Sequence, residues 1–281
     1  LRDSLVLMAG EWQSVIEVHS PIVSHGAIVV NTTTGARPPT AEPGEKAQAE
    51  RATMSANIII SYDGTNNEDD AVALGRLLAG AGAEVSLAYV RHAPEPETSR
   101  EILAQHEAET LLQRGAQLLG NPDAARHVIT DRSTPEGLST LAAEHGADVI
   151  VFCSDSHTAK GHLAVGNSAQ RLLNGGATAV AIAPAGFAHS ADQQVRRVGV
   201  AGDGSAQATA EALASTLGAE LSASGEQSVE LLVVGSRPEA EEGRVSLSAA
   251  SENLIEIATC PVLVVPRGKA VAFDGAIAFT A

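Results

Sequence analysis

The sequence predicts an α/β fold: a mainly parallel sheet with helices packed on it, followed by a shortened second copy of itself. Three observations predict it. Short apolar, β-rich runs alternate with helical patterns from residue 58 onward, and strands connected in that way run parallel with right-handed crossovers. The chain also repeats, Val149 to Pro184 recurring as Leu231 to Pro266 at a constant offset of 82, so that Cys153 falls on Gly235, Gly166 on Ser248 and Pro184 on Pro266. Finally, the chain is 44% hydrophobic but only 2% aromatic, with 26 glycines. Its 281 residues suffice for two modest cores, which must be built from Ala, Val, Leu and Ile in closely packed helix-on-sheet layers.

Taken in order, Ile58 to Tyr62 is a buried-strand run that ends in the turn Asp63-Gly64-Thr65. Asp69 to Ala81 is a helix with Val72, Leu74, Leu77 and Leu78 on its apolar face. Glu84 to Val90 is the second strand, His92 to Glu97 a Pro-containing loop, and Ser99 to Leu119 a long helix with a charged face. Arg126 to Thr130 is a third strand. Ser133-Thr134-Pro135-Glu136 starts a helix with a hydroxyl cap and an early Pro, and that helix ends at His145-Gly146. The fourth strand begins at Val149, a helix begins at Gly166, and Ala177 to Ala183 is the fifth strand.

After a linker over Gly186 to Gln194, Arg197 to Ala201 opens the second copy, where Asp203-Gly204-Ser205 matches Asp63-Gly64-Thr65 at an offset of 140. The offset then falls to 82, so the copy is 58 residues shorter. The loss covers most of the second strand, the long helix, the third strand and the helix before the fourth strand. Residues 267–281 read as a short tail whose alternation (Val271, Phe273, Ile277, Phe279) suits an edge strand or no element at all. At the other end, residues 1–53 are unlike the rest. Val23 to Val30 reads as a strand and Ala36 to Arg51 as a Pro/Ala/Glu-rich linker. With Leu1 first and Met54 just before the first strong strand, the segment is an extension, poorly ordered or not native, or else a genuine appendage.

Charge and motif content narrow the function. A net charge of −16 repels phosphate backbones and anionic lipid, so nucleic acid and membrane surfaces are poor partners. No apolar run reaches the length of a membrane span. Cys153 and Cys260 lie beside apolar runs with no CxxC spacing, as expected for reduced structural thiols in a cytoplasmic protein. Asp155, His157 and His162 match no metal-ligand spacing and read as a solvated loop; no metal site is expected. The serines lack a GxSxG turn, and neither GxGxxG nor GxxxxGK[ST] occurs. What remains is the stretch from Val149 to Leu173: a strand, a polar loop, then Gly166, Asn167 and Ser168 at a helix start, where unpaired N–H groups form an anion site.

The pattern of a first strand ending in Asp-Gly-Thr/Ser, a glycine-type loop after the fourth strand, and a fifth strand reading Cys-Pro-Val-Leu-Val-Val resembles the universal stress protein family, in a tandem form. The resemblance covers 57–184 nearly end to end and 196–266 in shortened form. It implies an α/β, doubly wound, mainly parallel five-stranded sheet of the adenine-nucleotide-binding, Rossmann-like type, followed by a truncated second copy. The implied domains are 54–186 and 195–267, with a tail at 268–281. Members bind ATP or AMP at the carboxyl ends of the strands without strong enzymatic activity. Transferred to this chain, Asp63, Gly64 and Thr65 lie by adenine and ribose with Val90 against the ring, while Cys153, Ser154, Ser156, Gly166, Asn167 and Ser168 face the phosphates. Cys153 and Ser156 stand where the family has glycines, which allow closer backbone approach.

In the second copy the loop reads Gly235-Ser236-Arg237-Pro238, then nine residues and Ser248, so a complete nucleotide site is not expected there. Lys160 is either a phosphate neutraliser or a solvated lysine. The family dimerises through its fifth strand, which implies that Ala177–Ala183 and Pro261–Val265 pair within the chain; a homodimer and an unidentified signalling partner are further candidates. Two functions follow: a non-enzymatic stress-response module with a degenerate ATP or AMP site, or an interaction protein of the same fold that has lost nucleotide. An enzyme on this fold needs an acid/base or nucleophile set, and the sequence offers none.

Overall fold

The computed structural model describes residues 55–65, 67–92, 97–190, 194–223 and 228–274. The expected Val23–Val30 strand, the Ala36–Arg51 linker, the Met54 start and the end of the tail with Ile277 and Phe279 lie outside the described residues. The strands are β1 (Asn57–Ser61), β2 (Glu84–Arg91), β3 (Arg126–Thr130), β4 (Val149–Cys153), β5 (Ala179–Ala183), β6 (Arg197–Ala201), β7 (Glu220–Ala223), β8 (Leu231–Gly235) and β9 (Val262–Val265). The helices are α1 (Glu68–Gly80), α2 (Thr98–Leu119), α3 (Thr134–His145), α4 (Asn167–Leu173), α5 (Gly204–Leu217) and α6 (Ala249–Glu256), with a 3-10 turn at Phe187–His189. Local chemistry sets the boundaries. Ser133 caps α3 by accepting from the Glu136 N–H, Pro135 lies in the first turn, and Gly146 ends the helix at φ 64°.

All nine strands form one sheet in the order β3-β2-β1-β4-β5-β9-β8-β6-β7. Every neighbouring pair is parallel except β5 and β9, which run antiparallel with Val180 opposite Val264, Ala181 opposite Leu263 and Ile182 opposite Val262. The expected contact strands therefore do pair within the chain. The order β7-β6-β8-β9 repeats β2-β1-β4-β5. Between β7 and β8, among the described residues, no element corresponds to α2, β3 or α3.

The sheet is covered on both faces. Alternate strand residues enter two cores: Ile58, Ile60, Val149, Val151 and Val233 pack under α1, α2 and α5, while Ile59, Ile150, Phe152, Leu232 and Val234 pack under α3, α4 and α6. With few aromatics, the layers close through small residues. A Cβ on Gly115 of α2 would lie 2.6 Å from Leu87 Cδ2 of β2, so this glycine sets the helix-to-sheet spacing.

The hydrogen bonding of the β4–α4 loop recurs in the β8–α6 loop. Ser154 Oγ donates to Ala183 O (2.8 Å) and accepts from the Ala164 N–H (3.2 Å); Ser236 Oγ donates to Val265 O (2.9 Å) and accepts from the Ser246 N–H (3.2 Å). The Gly161 N–H donates to Ala185 O (2.7 Å), and the Gly243 N–H to Arg267 O (2.8 Å). Each second bond is the first displaced by the sequence offset of 82.

The tail forms no strand over its described part, yet it is anchored. The Val271 N–H donates to Thr209 Oγ1 of α5 (2.9 Å), and the Ala56 N–H donates to Ala272 O (3.1 Å). Val271 and Phe273 are 2% and 3% exposed, so residues 268–274 act as a strap between α5 and the start of β1. Replacing Phe273 with Ala is expected to cost about 3–5 kcal/mol, read from urea unfolding. A loss near zero would return the segment to a loose tail.

Candidate functional site

β1 and β4 are sheet neighbours whose following helices, α1 and α4, pack on opposite faces. A crevice at such a switch point is where ligands bind in open α/β sheets. Asp63, Gly64 and Thr65 follow β1 and are exposed. The Thr65 N–H donates to Asp63 Oδ1 (3.0 Å), so this carboxylate first serves its own turn. Gly64 has φ 78°, which strains any other residue, and a Cβ there would lie 2.5 Å from Leu111 Cδ1 of α2, so Leu111 would have to shift.

Two residues absent from the sequence-derived set dominate the crevice. Glu68, the first residue of α1, turns back so that the N–H groups of Asp63 and Gly64 both donate to its Oε2, each at 2.5 Å. Only 4% of Glu68 is exposed. Burial first, and then hydrogen bonding with Asp63, push its carboxyl up to about 9, so near neutral pH it is a carboxylic acid. Asn67, at φ 75°, extends Nδ2 to the Asp155 carbonyl (3.1 Å) and ties the β1–α1 loop to the β4–α4 loop. Thr65-x-x-Glu68 has capping-box spacing, the one sequence signal that pointed to Glu68.

The remaining expected residues divide between scaffold and surface. Cys153 ends β4, half-buried, and burial, followed by the Glu68 and Asp63 carboxyls, pushes its thiol up to about 12, so it is no nucleophile. Ser154 is 1% exposed and its hydroxyl is used in the two bonds described above, so it belongs to the scaffold. Val90 is buried, with Cγ1 3.1 Å from where a Cβ on Gly137 of α3 would lie. Its side chain, expected against an adenine ring, is in the α3 core. Ser156 and Asn167 are exposed and Ser168 is half-exposed. Gly166, at φ −70°, caps α4 with nothing within 4 Å of a Cβ built on it, so the fold itself does not require a glycine there.

Two concavities are lined by other residues. A cleft of 480 Å³ separates the end of β2 (Tyr89, Arg91) from α2 (Ala104, Leu111). A groove of 330 Å³ follows the β5–β9 seam, and Lys160 lines it. Among the described residues no group of three or more His, Cys, Asp or Glu side chains is placed to hold a metal ion.

In the second half the corresponding crevice is closed by backbone. A Cβ on Gly202 would lie 2.6 Å from Gly235 Cα, so the ends of β6 and β8 touch. Asp203 caps α5, its Oδ1 accepting from the Ser205 and Ala206 N–H groups at 3.2 Å and from Ser205 Oγ at 2.6 Å. Ser248 likewise caps α6.

The Glu68 carboxyl gives a pH signature. Folded Glu68 keeps its proton to about pH 9, against 4.5 for the ordinary group, so between those values the folded state binds more protons. Its contribution is full below 4.5 and is lost as pH rises through 9, with a slope of at most about 1.4 kcal/mol per pH unit. Thermal unfolding from pH 5 to 9.5 should show a falling midpoint that Glu68→Gln flattens; parallel curves for the two proteins would contradict the assignment. A second substitution, Ser154→Ala, leaves the Ala164 N–H without its partner and the Ala183 carbonyl with only the Ser154 N–H, and should cost about 1–3 kcal/mol in urea unfolding.

A sequence profile described as the Universal stress protein family matches residues 54–184. Among solved structures, a universal stress protein from Archaeoglobus fulgidus is similar with a TM-score of 0.59 at 16% identity, covering 76% of this chain and 100% of its own. A Pseudomonas aeruginosa protein of unknown function is similar at TM-score 0.52 and 13% identity, covering 77% of this chain and 95% of its own. At these identities the likeness is one of fold, and it extends over more of the chain than residues 54–184. No curated protein matches. The profile match, together with the β3-β2-β1-β4-β5 sheet on which the Asp63 turn and the Gly166 helix start lie, identifies residues 54–184 as a universal stress domain.

Proposed function

We propose that the chain is a non-enzymatic universal-stress-type interaction module that does not hold nucleotide tightly, its two halves acting as a tandem of domains over 54–186 and 195–267. The observation that carries this reading is Glu68. Its carboxyl already takes the two N–H groups at the end of β1 that an incoming anion would need. The Asn67–Asp155 bond ties together the loops on either side, and the acidic residues Asp63 and Asp155, both exposed, stand in those loops. Binding a phosphate there requires breaking these bonds and approaching like charge. The repeated loop bonds and the β5–β9 pairing support the tandem reading.

One observation favours the other reading, a degenerate ATP or AMP site: the start of α4 is open, with free space at Gly166 and an exposed Asn167. Mass spectrometry of the purified protein, with titration of ATP plus Mg²⁺, separates the two. The expected outcome is no co-purified adenine nucleotide and no thermal shift at millimolar ATP. Co-purified nucleotide, or a shift abolished by Gly166→Val with the unliganded melting temperature unchanged, would establish the nucleotide site instead.

A further inference from the structure

The two halves meet about an approximate two-fold relation, and the two ends of their seam differ. At one end, the Asn57 N–H donates to Asp148 Oδ2 (3.2 Å) and Lys269 Nζ lies 3.6 Å from Asp148 Oδ1. Two backbone bonds also close this end: the Gly175 N–H donates to Val245 O, and the Val245 N–H donates to Gly176 O, both at 2.8 Å. At the other end, the residues displaced by the repeat offsets are Arg197 for Asn57, Glu230 for Asp148 and Phe187 for Lys269. The Arg197 N–H donates to Glu230 Oε2 (2.8 Å), repeating the Asn57–Asp148 bond. No cation reaches Glu230 from across the seam, because Phe187 stands where the other end has Lys269; the ion pair comes from Arg197 of β6 instead. What remains is the 330 Å³ groove.

Its chemistry is dipolar. Glu230 lines one side; Arg197 Nη2 lies 3.3 Å from its Oε1, but the carboxylate is 26% exposed and retains acceptor capacity. Lys160 lines the groove as well, exposed and with no carboxylate in ion-pair range among the described residues. The equivalent position at the closed end is Glu242, so the charge at this rim position is reversed between the two ends. Phe187, Pro184 and Pro261 add apolar lining. We propose that this groove binds a small zwitterion with an apolar body, of the amino-acid class: its ammonium against Glu230 where Lys269 serves Asp148, its carboxylate against Lys160, and its apolar part on Phe187 and the two prolines. The site is separate from the β1–β4 crevice and does not depend on whether nucleotide binds there.

Leucine is the probe, with 3-methylbutylamine and 4-methylpentanoate as relatives carrying only one of its charges. In an NMR titration of the full chain, leucine should give saturable shifts at the Gly161, Gly186 and Thr259 amides and bind more tightly than either relative. Lys160→Ala, at an exposed position, should weaken leucine about fivefold and leave the amine unaffected. Thr259→Trp, also exposed, should fill the groove and remove the shifts while the melting temperature without leucine holds. The proposal is overturned by absent shifts at these amides, by shifts that survive Thr259→Trp, or by singly charged relatives that bind as well as leucine.

Discussion

The antiparallel pairing of β5 with β9 is the constraint on which the rest depends. Each is the last strand of its half, and each is buried along its whole length. A parallel sheet ending in such a strand exposes a row of unpaired N–H and C=O groups beside an apolar surface. Joining the two ends removes both edges at once and lets the two cores run continuously across the seam. The join also fixes polarity, since strands that pair antiparallel direct the carboxyl ends of the two halves to opposite edges of the common sheet. The four-stranded half lacks the α2–β3–α3 segment but keeps every strand needed to reach the seam.

At both carboxyl edges the amides that follow the first strand of each half are satisfied from within. In the first half a side chain does it: Glu68 reaches back to the Asp63 and Gly64 amides, and its own burial keeps it protonated. In the second half the Asp203 side chain takes the Ser205 and Ala206 amides as the cap of α5, and the close approach of Gly202 to Gly235 shuts the crevice. A crevice shut by glycine contact opens only by moving strands. Release of the Glu68 carboxyl needs only a rotamer change.

Much of the fold was legible in the sequence. The period-2 and 3.6-residue patterns located the strands and helices from β1 to β5 within a residue or two, and the constant offset identified β8, α6 and β9; the strand pair at the seam followed from the resemblance to the universal stress family. The strap was not legible, because Val271 and Phe273 alternate as an edge strand would, and only contacts with α5 and Ala56, distant in sequence, bury them. The site was legible as a place more than as a set of contacts. Asp63, Cys153 and Gly166 do gather at the ends of β1 and β4, but hydrogen-bond partners decide roles. Ser154 and Val90 face inward because of Ala183 and Gly137, and Glu68 enters the crevice because Asn67 adopts a left-handed backbone. None of these follows from residue type and spacing alone.

The seam has one further consequence, which concerns concentration. Two chains of this fold that met edge to edge would separate on dilution, and their contact surfaces would have to complement themselves. Carrying both edges on one polypeptide makes the encounter intramolecular, so the shared sheet persists however scarce the protein becomes. It also frees the two sides from self-complementarity. One end can place a lysine where the other places a phenylalanine, and a defect tolerated once need not be repeated. The fused molecule can therefore evolve its two ends independently, an option closed to a symmetric dimer.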